Sequence, residues 1–135
     1  MKNKKRILSG EEGFTLIEII AVLIVLGILA AVAVPKYIDL TTTAKVKAAE
    51  GQVAEMKATL NLAYANYYIT NGAAPTGTQA VTAAGFTSGT AKTVGTAPDI
   101  WNVTLTAVAN AVTIAIINRN ADTGYAATGT WNVPS

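Results

Sequence analysis

Residues 14–34 are an apolar run of twenty-one residues in which only Thr15 and Glu18 are clearly polar. At about 1.5 Å per residue, a helix of that length spans roughly 30 Å, the thickness of a bilayer's hydrocarbon core. A carboxylate one turn inside such a helix is costly. An ionised side chain near the bilayer centre costs about 2.5–3.5 kcal/mol on insertion scales, and less toward the interface. Glu18 is therefore a candidate functional residue.

The charges around this run are unevenly placed. Lys2, Lys4, Lys5 and Arg6 against Glu11 and Glu12 put the whole net charge of +2 into residues 1–13; from Phe14 onward six basic residues balance six acidic ones. No basic patch remains that would mark nucleic acid as a partner. With no cysteine, neither a disulfide nor a thiolate metal site is available; with no histidine, the commonest general base and metal ligand are missing. After Lys57 the ionisable side chains other than tyrosine are Lys92, Asp99, Arg119 and Asp122. That set is very poor for acid–base or nucleophilic catalysis, so the sequence argues against an enzyme and against a metal or other cofactor.

Two readings compete for residues 1–34. A secretory signal would use the basic start, the apolar stretch and the small-residue pattern Ala31-Val32-Ala33, releasing a secreted binding module after Ala33. The run is longer than the usual ~7–15 residues, however, and it contains Glu18. A retained anchor fits better: the basic cluster stays cytoplasmic and the remainder is sent outward.

Gly13-Phe14-Thr15-Leu16-Ile17-Glu18, after a short basic leader and before the apolar run, resembles the processing site of bacterial type IV pilins and pseudopilins. The resemblance implies cleavage between Gly13 and Phe14 by a membrane prepilin peptidase and methylation of the new amino terminus at Phe14. It implies a subunit that waits in the inner membrane, contacts the lipid bilayer and the pilus assembly machinery, and then packs against copies of itself in an extracellular filament. A type II secretion pseudopilin, with the same stalk but a short periplasmic filament, is the alternative; its major subunit often carries an acidic calcium site near its end. Phe14 and Glu18 are the implied assembly residues, since a free amine and a buried carboxylate each need a partner. They can pair within one helix or between copies. Gly27 and Pro35 match helix-weakening positions of the family. Glycine costs about 1 kcal/mol of helix propensity relative to alanine, and proline removes a hydrogen bond and clashes with the preceding turn. Membrane helices tolerate both, so the sequence shows weakness there without deciding whether residues 27–35 unwind.

Four segments follow: a cleaved leader (1–13), the transmembrane and assembly half of a helix (14–34), its amphipathic half (35–72) and a Thr/Gly/Ala-rich head (73–135). In the amphipathic half Val46, Ala49, Val53, Met56, Leu60, Ala63 and Tyr67 recur at spacings of three and four, one apolar stripe. Asn71-Gly72, with Pro75 beyond, should end the helix. The stripe needs a cover. Its alanines are weak knobs for a coiled coil, so a sheet from the same chain is expected instead.

In the head, residues 78–85 read as a short helical turn or a structured loop. Residues 100–107 alternate, with Trp101, Val103 and Leu105 on one face; residues 111–118 repeat the pattern with Val112, Ile114 and Ile116, and a short link makes the two a hairpin. Residues 125–133 supply a third strand. The expected fold is α+β: a long helix kinked near Pro35, packed against an antiparallel sheet of about three strands.

Three weaker signals remain. Asn118, Asn120, Asp122 and Gly124 alternate as calcium ligands do, but with one carboxylate and a neighbouring Arg119 a plain turn is favoured. Asn102-Val103-Thr104 matches the glycosylation triplet inside a strand pattern. The last strand, with no disulfide to close it, must be held by packing through Trp131.

Overall fold

The structure is a computed structural model and describes residues 13–134. The basic leader, apart from Gly13, lies outside the described residues. Two helices precede four strands: α1 (Leu16–Asn71), α2 (Gly77–Ala83), β1 (Ala91–Val94), β2 (Trp101–Val108), β3 (Ala111–Arg119) and β4 (Ala127–Asn132). A first compact unit ends at Ile38 and a second begins at Asp39.

The first unit holds the apolar part of α1, and its large side chains are exposed throughout, from Ile20 at 44% to Leu16 at 77%. By length and composition α1 is able to cross a membrane. Its helical assignment continues through Gly27 and Pro35.

In the second unit, α1 turns one stripe inward. Ala49, Val53, Met56, Leu60 and Ala63 are buried, and Val46 and Tyr67 at the two ends are half-buried. The helix stops where a left-handed residue is placed: Gly72 has φ 68° and its N–H donates to the Tyr68 carbonyl at 2.8 Å. α2 starts with a capping box, in which Thr76 Oγ1 accepts from the Gln79 N–H and the Gln79 side chain accepts from the Thr76 N–H. Ala80 and Val81 then face the core.

The strands form one antiparallel meander in the order β1-β2-β3-β4. Register brings the apolar positions onto one face: Val103 lies opposite Ile116, Leu105 opposite Ile114, and Val112 opposite Trp131. These pack on Val53, Met56 and Leu60 of α1 in a single core. Burying one such leucine or valine fully stabilises by about 1.5–3 kcal/mol before entropic costs. β4 comes so close to the helix that a Cβ on Gly129 would lie 2.4 Å from Val53 Cγ1, so no larger residue fits.

The expected α+β architecture is present, with four strands where the sequence pattern gave about three. The additional strand, β1, is four residues at the sheet edge; only Val94 is even half-buried, so no apolar alternation betrays it. It is held by backbone pairing, from Ala91 opposite Thr104 to Val94 opposite Trp101, with Lys92 donating to the Gly85 carbonyl, Thr93 donating to Asn102 Oδ1 and Val94 resting on the core.

Candidate functional site

Gly13 and Phe14 precede the helix, and Phe14 is 82% exposed. The helix does not start on them because Thr15 caps it. The Thr15 N–H and hydroxyl both donate to Glu18 Oε2, at 2.8 and 2.7 Å, and the Glu18 N–H reaches Thr15 Oγ1 at 3.4 Å. This is a reciprocal capping box: the side chains at the cap and three residues later satisfy backbone donors that the first turn leaves unpaired. A carboxylate there also faces the positive end of the helix dipole. The T-x-x-E spacing announces this cap in the sequence, but the membrane argument alone leaves it unnoticed.

The described segment from Phe14 through Val34 thus presents a non-helical dipeptide, a capped start and then an apolar surface that none of the other described residues covers. Beyond its own helix backbone, no described residue comes within 4 Å of where a Cβ on Gly27 would sit, so no packing contact among the described residues requires a glycine there.

At the sheet's other end, the residues that alternate like calcium ligands are bonded to protein. Asn118 Oδ1 accepts from Asn102 Nδ2 at 2.8 Å. Asn120 Oδ1 accepts from the Ile100 N–H at 3.1 Å, and its Nδ2 donates to the Pro98 carbonyl. Asp122 accepts from Lys45 Nζ at 2.6 Å and from the Gly124 N–H at 2.8 Å. The lysine hydrogen bond, then the Gly124 N–H, holds the Asp122 carboxyl below its usual range, and Asp122 raises Lys45 in turn. The segment is a turn stapled to α1. Asn102, the glycosylation candidate, is half-buried and spends its amide on Asn118.

Arg119 organises the neighbouring side chains. Its guanidinium lies 5.4 Å from the Trp101 ring and 5.2 Å from the Tyr125 ring, donates to Tyr125 Oη at 3.4 Å and pairs with Asp99. Asp99 above all, then Tyr125, keeps it firmly protonated.

The prokaryotic N-terminal methylation motif matches residues 8–34, which takes in the capped start and the apolar segment. This N-terminal part is similar to that of pilins and of a type II secretion protein. Similar proteins include a fimbrial protein of Pseudomonas aeruginosa, 42% identical over 50 residues, which are 37% of this chain and 32% of the relative. The type II secretion system core protein G of Pseudomonas aeruginosa is 44% identical over 52 residues, 38% of this chain and 37% of that protein. The type IV narrow pilus major component PilA5 of Thermus thermophilus is 54% identical over 33 residues, 24% and 28% of the two chains. The chain thus spans about a third of the length of the curated relatives it matches. No solved structure matches it.

Proposed function

We propose that the chain is a structural filament subunit, the major pilin of a type IV pilus. The observation that carries this reading is the uncovered apolar helix directly behind Gly13-Phe14. Such a surface is stable only in lipid or against other apolar helices. A subunit held in the inner membrane through residues 14–34 and then packed against copies of itself satisfies both conditions in turn. A prepilin peptidase would cut between Gly13 and Phe14, which lie outside the helix, and Phe14 would carry the methyl group. The pilus machinery would move the subunit outward, leaving the sparsely charged head as the surface of an extracellular filament.

The similarity to a type II secretion protein supports a second reading, a pseudopilin. The engagement of Asp122 by Lys45 and Gly124 favours the pilus, because that carboxylate already has two donors. Shearing cells, pelleting surface filaments and sequencing the subunit's amino terminus tests both. Phe14 at the terminus of a sheared filament subunit is the expected result. Phe14 found only on cell-retained protein would favour the pseudopilin, and Val34 would mean a secreted module.

A further inference from the structure

The two edges of the sheet differ. β1, at one edge, is four residues long and carries Lys92. A short strand with a lysine is a usual guard against pairing with another chain. β4, at the other edge, is six residues long and has neither a charge nor a proline. Its backbone direction follows from one bond: the Val133 N–H donates to the Asn110 carbonyl at 2.8 Å, toward β3. Successive residues of an antiparallel strand point their N–H and C=O groups to alternate sides. Ala127, Gly129 and Trp131 therefore point to β3, while Thr128, Thr130 and Asn132 point outward from the sheet. Among the described residues, no hydrogen bond meets those outward backbone groups. The side chains of the same residues are exposed on the face away from α1. Gly129 and Trp131 take the other face, Gly129 beside Val53 and Lys57, and Trp131 bonded to Asn61.

An identical strand complements such an edge. With two β4 strands antiparallel and Thr130 opposite its own copy, Thr128 falls opposite Asn132. Each of these facing pairs joins outward backbone groups that exchange hydrogen bonds, threonine meets threonine, and no like charges oppose one another within the strands. A slip of one residue would set outward groups against inward ones, and a slip of two would leave fewer pairs. We propose that β4 is a self-association edge, through which two copies of the chain join into one continuous sheet across a two-fold axis. Such an isologous contact closes on two copies and does not propagate along a filament, so it is separate from the helix packing proposed above and does not depend on it. An edge this short buries far less than the ~1,200–2,000 Å² of a stable complex, so the pairing is transient and is best captured covalently.

The chain has no cysteine, so a single introduced thiol reports this contact alone. Facing Cα atoms of a hydrogen-bonded antiparallel pair lie about 5.5 Å apart, within the ~4.4–6.8 Å that a disulfide spans. The test is mild oxidation of the full chain in detergent, with the linked dimer read on non-reducing gels. Thr130→Cys should form that dimer about tenfold faster than Thr128→Cys, or than Thr93→Cys on the β1 edge, because only at position 130 does a thiol face its own copy. Thr128→Cys combined with Asn132→Cys should cross-link as fast as Thr130→Cys, which keeps the test decisive where Thr130→Cys fails to fold. Thr128→Pro removes an outward N–H and leaves the bonds to β3 whole. Added to Thr130→Cys, it should abolish the cross-link while circular dichroism stays that of the folded chain. Equal rates at positions 93, 128 and 130, no dimer from either protein with facing thiols, or a cross-link that survives Thr128→Pro overturns the self-association edge.

Discussion

Trp131 on β4 donates its indole N–H to Asn61 Oδ1 on α1 at 2.7 Å, across seventy positions of sequence. The same ring meets Tyr64 edge-on at 6.5 Å, and the Tyr64 hydroxyl donates to the Pro134 carbonyl at 3.3 Å. In a chain without cysteine this contact does part of what a disulfide would do: it ties the last strand to the first helix. Trp131→Ala should cost about 3–5 kcal/mol, since it empties a site that is 6% exposed. Asn61→Ala should cost less, about 1–3 kcal/mol, by leaving the indole N–H without its partner. Urea melts of a fragment beginning at Asp39 would measure both; equal, small effects would mean that β4 is held elsewhere.

Leu60 lies on the stripe of α1 beneath the sheet and has no exposed surface. Leu60→Ala should destabilise the same fragment by about 2–5 kcal/mol through lost transfer energy and the cavity left behind. Leu62, two residues on and 64% exposed, is the control, and Leu62→Ala should stay within about 0.5 kcal/mol of the parent. Similar losses from both would contradict the assignment of one buried stripe.

The stripe was legible because a helix packed on one side imposes spacings of three and four, and Ala49, Val53, Met56, Leu60 and Ala63 keep them. β2 and β3 were legible for the parallel reason, buried apolar residues alternating with more exposed positions. β1 was not, since an edge strand with one half-buried side chain carries no period. The caps Thr15 and Glu18, and Thr76 and Gln79, stood three residues apart in plain view, and only the spacing rule was needed to find them. The contact of Lys45 with Asp122 joins residues seventy-seven positions apart, and pairings at that distance follow from the fold and not from any local pattern.

That pair predicts a pH dependence. Asp122 is held below its ordinary range in the folded state, so it stabilises above the unfolded carboxyl value, about 3.9, and the contribution is lost as pH falls through the depressed native value. Lys45 is raised, so its contribution is present below the unfolded ammonium value, about 10.4, and lost as pH rises through the raised one. Between roughly pH 4 and pH 10, the parent fragment should melt above Asp122→Asn. The gap should close in acid and narrow with salt, because both side chains are partly exposed. An unchanged gap at pH 3 and pH 7 would show that the charge of Asp122 does nothing.

Glu18 carries two possible roles, and the capping box separates them. In the chain as described, its carboxylate closes the helix start by accepting from the Thr15 N–H and hydroxyl. After cleavage behind Gly13, an amine would appear on Phe14, and methylation would leave it basic and cationic. A carboxylate that pairs with the amine of a neighbouring copy would neutralise both charges as the helix leaves lipid, and would fix one axial offset on an otherwise uniform apolar surface. Glutamine is as competent as glutamate in a capping box but carries no charge. Glu18→Gln therefore keeps the cap and removes the ion pair, while Glu18→Ala removes both. If the charge serves assembly, both variants should be processed and inserted in the membrane at parental levels, and both should lose most or all of their filaments. If the cap is what matters, Glu18→Gln should assemble like the parent and Glu18→Ala should not. Counting sheared filaments from the two strains decides between them, and abundant filaments from Glu18→Ala would remove Glu18 from assembly altogether.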